Sequence, residues 1–159
     1  SQYHLKEAFP YIFAGLAISI GLANFLNGAF VVRFGMRKLA LMALMGFCGV
    51  ALLYVLLFWN RENPNVYVLV VFLALQFFCL GFLWGNFRSI AMEPIGHIAG
   101  IGAAINGFVS TLLAIPIATF IGRFINESVW PMFTGLAICG FLSLGIMLMV
   151  RKRRTVVAA

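Results

Sequence analysis

The side chains that could do chemistry in this chain are few and far apart. Glu93 and His97 stand four residues apart, a spacing that puts them on one helix face and admits a metal or proton-relay reading. The alternative is structural. Pro94 suits the first turn of a helix, Glu93 then meets the positive end of the helix dipole and pairs with Arg88 or solvent, and His97 is solvated at the headgroup level. Gln76 lies near the middle of a long apolar run, where a lone amide needs a partner, and it is the first candidate for substrate contact. Asn24 and Asn106 follow as candidates. All three suit hydrogen bonding between helices equally, with Asn24 and Asn106 able to join the first and fourth helices. Cys48, Cys79 and Cys139 show no metal or redox spacing and read as buried thiols. Gly100-Ile-Gly102 begins a dinucleotide fingerprint but has neither the third glycine nor a preceding strand. Without a nucleophile–base pair or a ligand cluster, we expect no enzyme, no cofactor and no metal.

These residues are carried on stretches built for lipid. Residues 10–32, 39–60, 63–87 and 128–150 contain no charge, Arg61 and Glu62 falling between the second and third stretches, and 89–122 contains only Glu93. A bilayer core about 30 Å thick needs ~20 apolar residues of helix. Hydrophobic residues make up 64% of the chain and charged ones 9%, with a mean hydropathy of +1.06. Soluble proteins carry about a quarter charged residues. We therefore expect an all-α integral membrane protein, a bundle of five transmembrane helices at about 10–32, 39–58, 66–87, 95–120 and 130–150. The first eight residues show no cleavable signal pattern, so targeting would come from the first helix or from upstream sequence.

The net charge of +7 would suit nucleic acid if it were clustered, but five spans sort it by membrane side. Arg33, Arg37, Lys38, Arg88, Glu93 and the run Arg151, Lys152, Arg153, Arg154 fall on one side and hold all of it. Lys6, Glu7, Arg61, Glu62, Arg123 and Glu127 fall on the other and sum to zero. Short basic loops favour the cytoplasm, which predicts an outer N-terminus, a cytoplasmic C-terminus and no nucleic-acid partner. The terminal basic run reads as an orientation anchor more than as a specific site for anionic lipid.

Polarity is graded among the spans. The first, third and fourth hold the strongly polar groups, whereas the second and fifth are nearly pure hydrocarbon, and this predicts lipid all round those two. In the first span Gly21, Asn24 and Gly28 share a face suited to close packing. In the fourth, Ala99, Ala103, Asn106 and Ser110 form one small and polar stripe, and Pro116 favours a kink in its outer half. Gly81 and Gly85, and Gly96 and Gly100, are spaced for helix packing, and Gly107 belongs to the same glycine-rich region.

Two loop segments carry a family resemblance. Gly28, Arg33, Gly35 and Arg37, with Gly35 permitting a tight turn, resemble the inner-loop signature of the major facilitator superfamily in its weaker copy between the eighth and ninth helices. Val32 stands where that signature has Asp, and Met36 where it has Arg. The segment from Gly85 through Arg88, Glu93-Pro94, Gly96, Ala99-Gly100, Gly107 and Ser110 is similar to the tenth-to-eleventh helix region of bacterial drug/proton antiporters of the bicyclomycin-resistance-like branch. The resemblance covers essentially residues 1–159, as helices eight to twelve of twelve.

What the resemblance implies is specific. The chain would be a C-terminal half-domain lacking its first helix, in the bacterial inner membrane, within a proton-coupled multidrug efflux transporter. Its partners would be an amphipathic drug, the proton, the bilayer and a missing N-terminal half, where the family's titrating carboxylates lie. The chain alone would not transport. The alternative is a small polytopic membrane protein that binds a partner membrane protein through glycine-rich helix faces.

Overall fold

A computed structural model describes residues 9–59, 64–123 and 129–157, with side chains described through Val150. Five α-helices follow one another: α1 (Phe9–Phe34), α2 (Met36–Leu57), α3 (Val66–Met92), α4 (Ala99–Gly122) and α5 (Trp130–Val157). A 3-10 segment, Glu93–Ile98, joins α3 to α4. There is no strand among the described residues. Four helical stretches are long and apolar enough to cross a bilayer: Phe9–Phe34, Met36–Leu57, Val66–Gly122 and Trp130–Val150. The expected fifth merges into the third of these, because α3 does not stop near residue 87. It runs on through Arg88 to Met92, and Pro94 opens the 3-10 turn rather than the membrane helix, which begins at Ala99. A proline in a first helical turn costs no hydrogen bond, so the backbone stays helical across the joint. It departs from helical angles only at Ile95 (φ −123°, ψ 26°) and Ile98 (φ −125°, ψ 36°).

The α1–α2 connection is a single residue. Gly35 takes φ 77°, left-handed backbone that costs glycine nothing and most residues about 1 kcal/mol or more. That residue reverses the chain, and α2 starts at once. Paired residues give the helix directions. Ser19 meets Ala74 and Asn27 meets Asn86, so α1 and α3 are parallel. Gln76 meets Phe47, and Tyr54 packs on Phe72, so α2 and α3 are antiparallel. Trp130 reaches Val55 while Leu144 and Met147 pack near Leu44, so α5 is antiparallel to α2. The helices therefore form a row, α1 on α3, α3 on α2, α2 on α5.

Three apolar clusters hold this row. Ala23, Leu39 and Phe82 bind α1, α2 and α3 near the Gly35 end. Leu44, Phe47, Cys48 and Leu83 fill the middle with Leu136 of α5. At the far end Tyr54 is enclosed by Phe58, Phe72 and Phe133, stacking on Phe133 with ring centroids 3.7 Å apart. Such rings contribute large contact areas and specific geometry.

This arrangement corrects the expectation that α2 faces lipid all round. It is the most enclosed helix of the row, burying Leu39, Ala40, Leu44, Phe47, Cys48, Ala51, Tyr54 and Val55. In a bilayer, hydrocarbon side chains do not distinguish lipid from protein, so the absence of polar groups does not mark a lipid-facing helix. α4 departs in the opposite sense. Only Gly102 of α4 is buried. The helix is tied down at its start, where Gly102 sits against Ile95 and Met92, and at its end, where Ile121 packs on Gly135 of α5. It stays helical through Pro116, and between those ties its side chains are largely exposed.

Candidate functional site

The ion pair and the side-chain amide pair lie toward the Gly35 end of the bundle. Arg37, in the first turn of α2, donates from Nη2 to Oε2 of Glu93 at the start of the 3-10 segment, 56 residues away. Gly35 positions Arg37 by starting α2 without a loop. Pro94 positions Glu93 by holding the chain in the 3-10 turn. The expected partner of Glu93, Arg88, does not take that role: its guanidinium lies over the Trp84 ring at 5.8 Å. Arg88 is one helical turn beyond Trp84, so its side chain falls back onto that ring. Both members of the ion pair are partly exposed, Arg37 at 37% and Glu93 at 46%, so water screens it and its worth to stability is ~1 kcal/mol or less. Its importance is in position, because it ties the α1–α2 turn to the α3–α4 joint.

One turn deeper lies an amide pair. Asn86 is buried, donating to Oδ1 of Asn27 at 2.6 Å and to the carbonyl of Phe82 at 2.8 Å. Further along the same interface Ser19 donates to the carbonyl of Ala74 at 2.7 Å. Interhelical hydrogen bonds of this kind contribute about 0.6 kcal/mol on average within membranes. Ser19, Ala23 and Asn27 recur every four residues and form the face of α1 that meets α3. The face expected to pack, Gly21, Asn24 and Gly28, points away: Asn24 is exposed, and nothing lies within 4 Å of where a Cβ on either glycine would stand. Two four-residue faces compete on α1. The larger partner surface of α3 selects the one that fits against Gly81.

The three candidate substrate residues do not converge. Gln76 is 1% exposed and faces α2, donating weakly to the carbonyl of Phe47 at 3.4 Å, while its Oε1 has no hydrogen-bond partner. Asn106 is half-buried on α4, which makes no contact with α1, so Asn24 and Asn106 do not join the two helices. His97 is exposed on the joint, and no group of three or more potential metal ligands occurs among the described residues. A shallow open groove on the C-terminal half of α4 is lined by Leu112, Ile115, Pro116, Thr119, Phe120 and Arg123. It belongs to one helix and encloses nothing.

No family model, no curated protein and no solved structure matches the chain.

The packing glycines divide in the same way. A Cβ on Gly81 would stand 2.6 Å from Cβ of Ala23 and 3.0 Å from the carbonyl of Ile20, so the glycine is what lets α1 approach. Gly85 lies beside Asn27, with 3.6 Å to Nδ2. Gly96, Gly100 and Gly107 meet open space. They sit on the joint and on α4, at positions where no neighbour stands within 4 Å of an added Cβ, so they do not mediate close packing among the described residues. The close approaches not expected were Gly102, Gly135 and Gly140; a Cβ on the last would stand 2.9 Å from Cys48 Sγ and 3.1 Å from the Phe47 ring. The glycines of α5 carried a usable signal. In a helix otherwise nearly free of polar groups, they are what lets α5 close on α2 and α4.

Outside this end, Lys6, Glu7, Arg61, Glu62 and Glu127, on which the neutral side of the charge count rests, lie outside the described residues.

Proposed function

We propose that this chain is most of one six-helix half of a proton-coupled multidrug efflux transporter of the major facilitator superfamily, working by alternating access. The observation that carries the reading is the Arg37–Glu93 ion pair. It joins the two segments whose motifs bear the resemblance, and an ion-pair latch between two interhelical joints of one half helps that half move as a rigid body when it rocks against the other. Under this reading the chain crosses the membrane five times. The stretch Val66–Gly122 has 57 residues and would be about 85 Å long as one helix, nearly three times a bilayer core of about 30 Å. Its non-helical angles at Ile95 and Ile98, and the packing of Ile121 on α5, support a return. The basic end is then cytoplasmic and the N-terminus outside, in a bacterial inner membrane.

The open faces support the view that the functional unit is larger. The exposed Asn24 face of α1 and the largely exposed middle of α4, with Asn106, are where a preceding helix and an N-terminal half would add their surfaces. Amphipathic drug would contact those faces, with Gln76 reached only if α2 and α3 part. The proton-titrating carboxylates belong to the half that is not in this sequence, so the chain alone does not couple transport.

Proteoliposomes with an imposed pH gradient and a cationic amphipathic dye test this. Uptake is expected from the polypeptide extended by its upstream coding sequence, and none from residues 1–159 alone. Uptake by the chain alone refutes the half-domain reading; absence from both refutes the transporter.

The open space over Gly96, Gly100 and Gly107 favours one second reading, a polytopic protein that docks a partner membrane protein there. A stoichiometric partner co-purifying in mild detergent, lost on Gly100→Leu, would support it.

A further inference from the structure

The basic end of the bundle carries more cations than its own acid can balance. Glu93 is the only acid among the described residues, and Arg37 pairs with it. Arg33, Lys38 and Arg88 have no acidic partner among the described residues. Arg33 and Lys38 are instead held against one ring: the Arg33 guanidinium lies 5.7 Å from the Phe34 centroid and the Lys38 ammonium 5.8 Å from it. All three side chains are exposed.

The geometry follows from the turn. Phe34 ends α1, and Gly35 reverses the chain in one residue, so Lys38 on the first turn of α2 reaches the same Phe34 ring as Arg33 does. The Phe34 ring is itself partly exposed at the end of α1, where an apolar span meets the basic residues that flank it. An anion that reaches both cations on that ring is attracted by each. Arg88 repeats the arrangement on the exposed Trp84 ring of α3, and the run at 151–154 extends α5 past its apolar length at the same end. The side chains are thus short of anionic charge at the depth where lipid phosphates lie.

We propose that Arg33 and Lys38, aligned by Phe34, form a binding site for the phosphodiester of an anionic phospholipid in the adjacent leaflet. The site differs from general attraction to a charged surface in having two defined cations on one ring. Anionic surface attraction contributes roughly five-fold per basic residue and so ~25-fold for two.

Native mass spectrometry of the full chain, released from nanodiscs of phosphatidylglycerol mixed with phosphatidylcholine, reads this directly. Phosphatidylglycerol is expected to be retained in preference to phosphatidylcholine, and 1 M salt in the release buffer, which shortens the Debye length to about 3 Å, is expected to strip it. The double variant Arg33→Gln/Lys38→Gln should lower retention by an order of magnitude or more. Arg33→Lys/Lys38→Arg should keep it, and Phe34→Leu should lower it several-fold with both charges present. Arg123→Gln, at the opposite end, serves as the control and should change nothing. Equal retention of the two lipids, unchanged retention in the double glutamine variant, or loss in the charge-conserving variant would each overturn the proposal. So would displacement of the lipid by equimolar inorganic phosphate. If the glutamine variant does not fold by circular dichroism, the salt dependence, the charge-conserving variant and Phe34→Leu still decide.

Discussion

Replacing Gly81 with alanine should separate α1 from α3. An ideal Cβ there stands 2.6 Å from Cβ of Ala23 and 3.0 Å from the carbonyl oxygen of Ile20. Carbon atoms in contact prefer about 3.5–4.0 Å, so the helices must part by roughly 1 Å. Ala23 is fully buried and neither obstacle is the end of a flexible side chain, so nothing rotates away. Overpacking of this kind costs ~1–3 kcal/mol. The Ser19–Ala74 and Asn27–Asn86 hydrogen bonds, at 2.7 and 2.6 Å, weaken as the gap opens. Unfolding of the purified chain by sodium dodecyl sulfate in mixed micelles, followed by the fluorescence of its three tryptophans, gives the free-energy change. Gly21→Ala and Gly28→Ala are the matched controls: they lie on the same helix pair with nothing within 4 Å and should be neutral, or stabilising by up to ~1 kcal/mol through lost backbone freedom. Ala23→Gly combined with Gly81→Ala should recover part of the loss, incompletely because the Ile20 carbonyl remains. If Gly81→Ala costs no more than the controls, or Ala23→Gly gives no relief, the α1–α3 packing described here is wrong.

Asn86→Ala should cost about 0.5–2 kcal/mol in the same assay, and Asn27→Ala added to it should cost little more, because the two share one bond. Gln76→Leu should be neutral or stabilising, since it removes a buried acceptor that has no hydrogen-bond partner and one long hydrogen bond; a loss above ~1 kcal/mol would show that Oε1 is satisfied. Glu93→Gln should change stability by less than ~1 kcal/mol, because the pair is partly exposed, yet alter the rate of dye transport by the extended polypeptide; an unchanged rate would remove the latch from the mechanism. Gly140→Val should destabilise by several kcal/mol through contact with Cys48 and Phe47, whereas Gly96→Val should cost under ~1 kcal/mol.

Much of the local structure could be read from residue order. The starts of α3 and α5, at Val66 and Trp130, and the reversal at Gly35 follow from apolar run length and one glycine, both local properties. The α3–α4 joint was less legible. Pro94 signals a helix start, but a 3-10 turn satisfies the same constraint, and only the three-dimensional path fixes which occurs. The candidate site was legible in its parts and not in its pairing. Arg37 and Glu93 each stood in a recognisable motif, yet Arg88 was nearer Glu93 in sequence and carried the same charge. Asn27 and Asn86 are polar residues in apolar runs, but the spacing with Gly21 and Gly28 singled out Asn24 and gave no reason to prefer Asn27.

The sequence by itself determined that the chain is helical and apolar enough to span a bilayer, and that its excess positive charge collects at alternate turns. Those properties depend on transfer free energy and on residue spacing, which act along the chain. Tertiary structure decided which helix is central, which face of α1 is buried and which cation meets Glu93. In an apolar medium hydrocarbon side chains gain nothing from leaving lipid, so shape at Gly81 and Gly140 and a few hydrogen bonds choose the partners. Such choices depend on both surfaces at once.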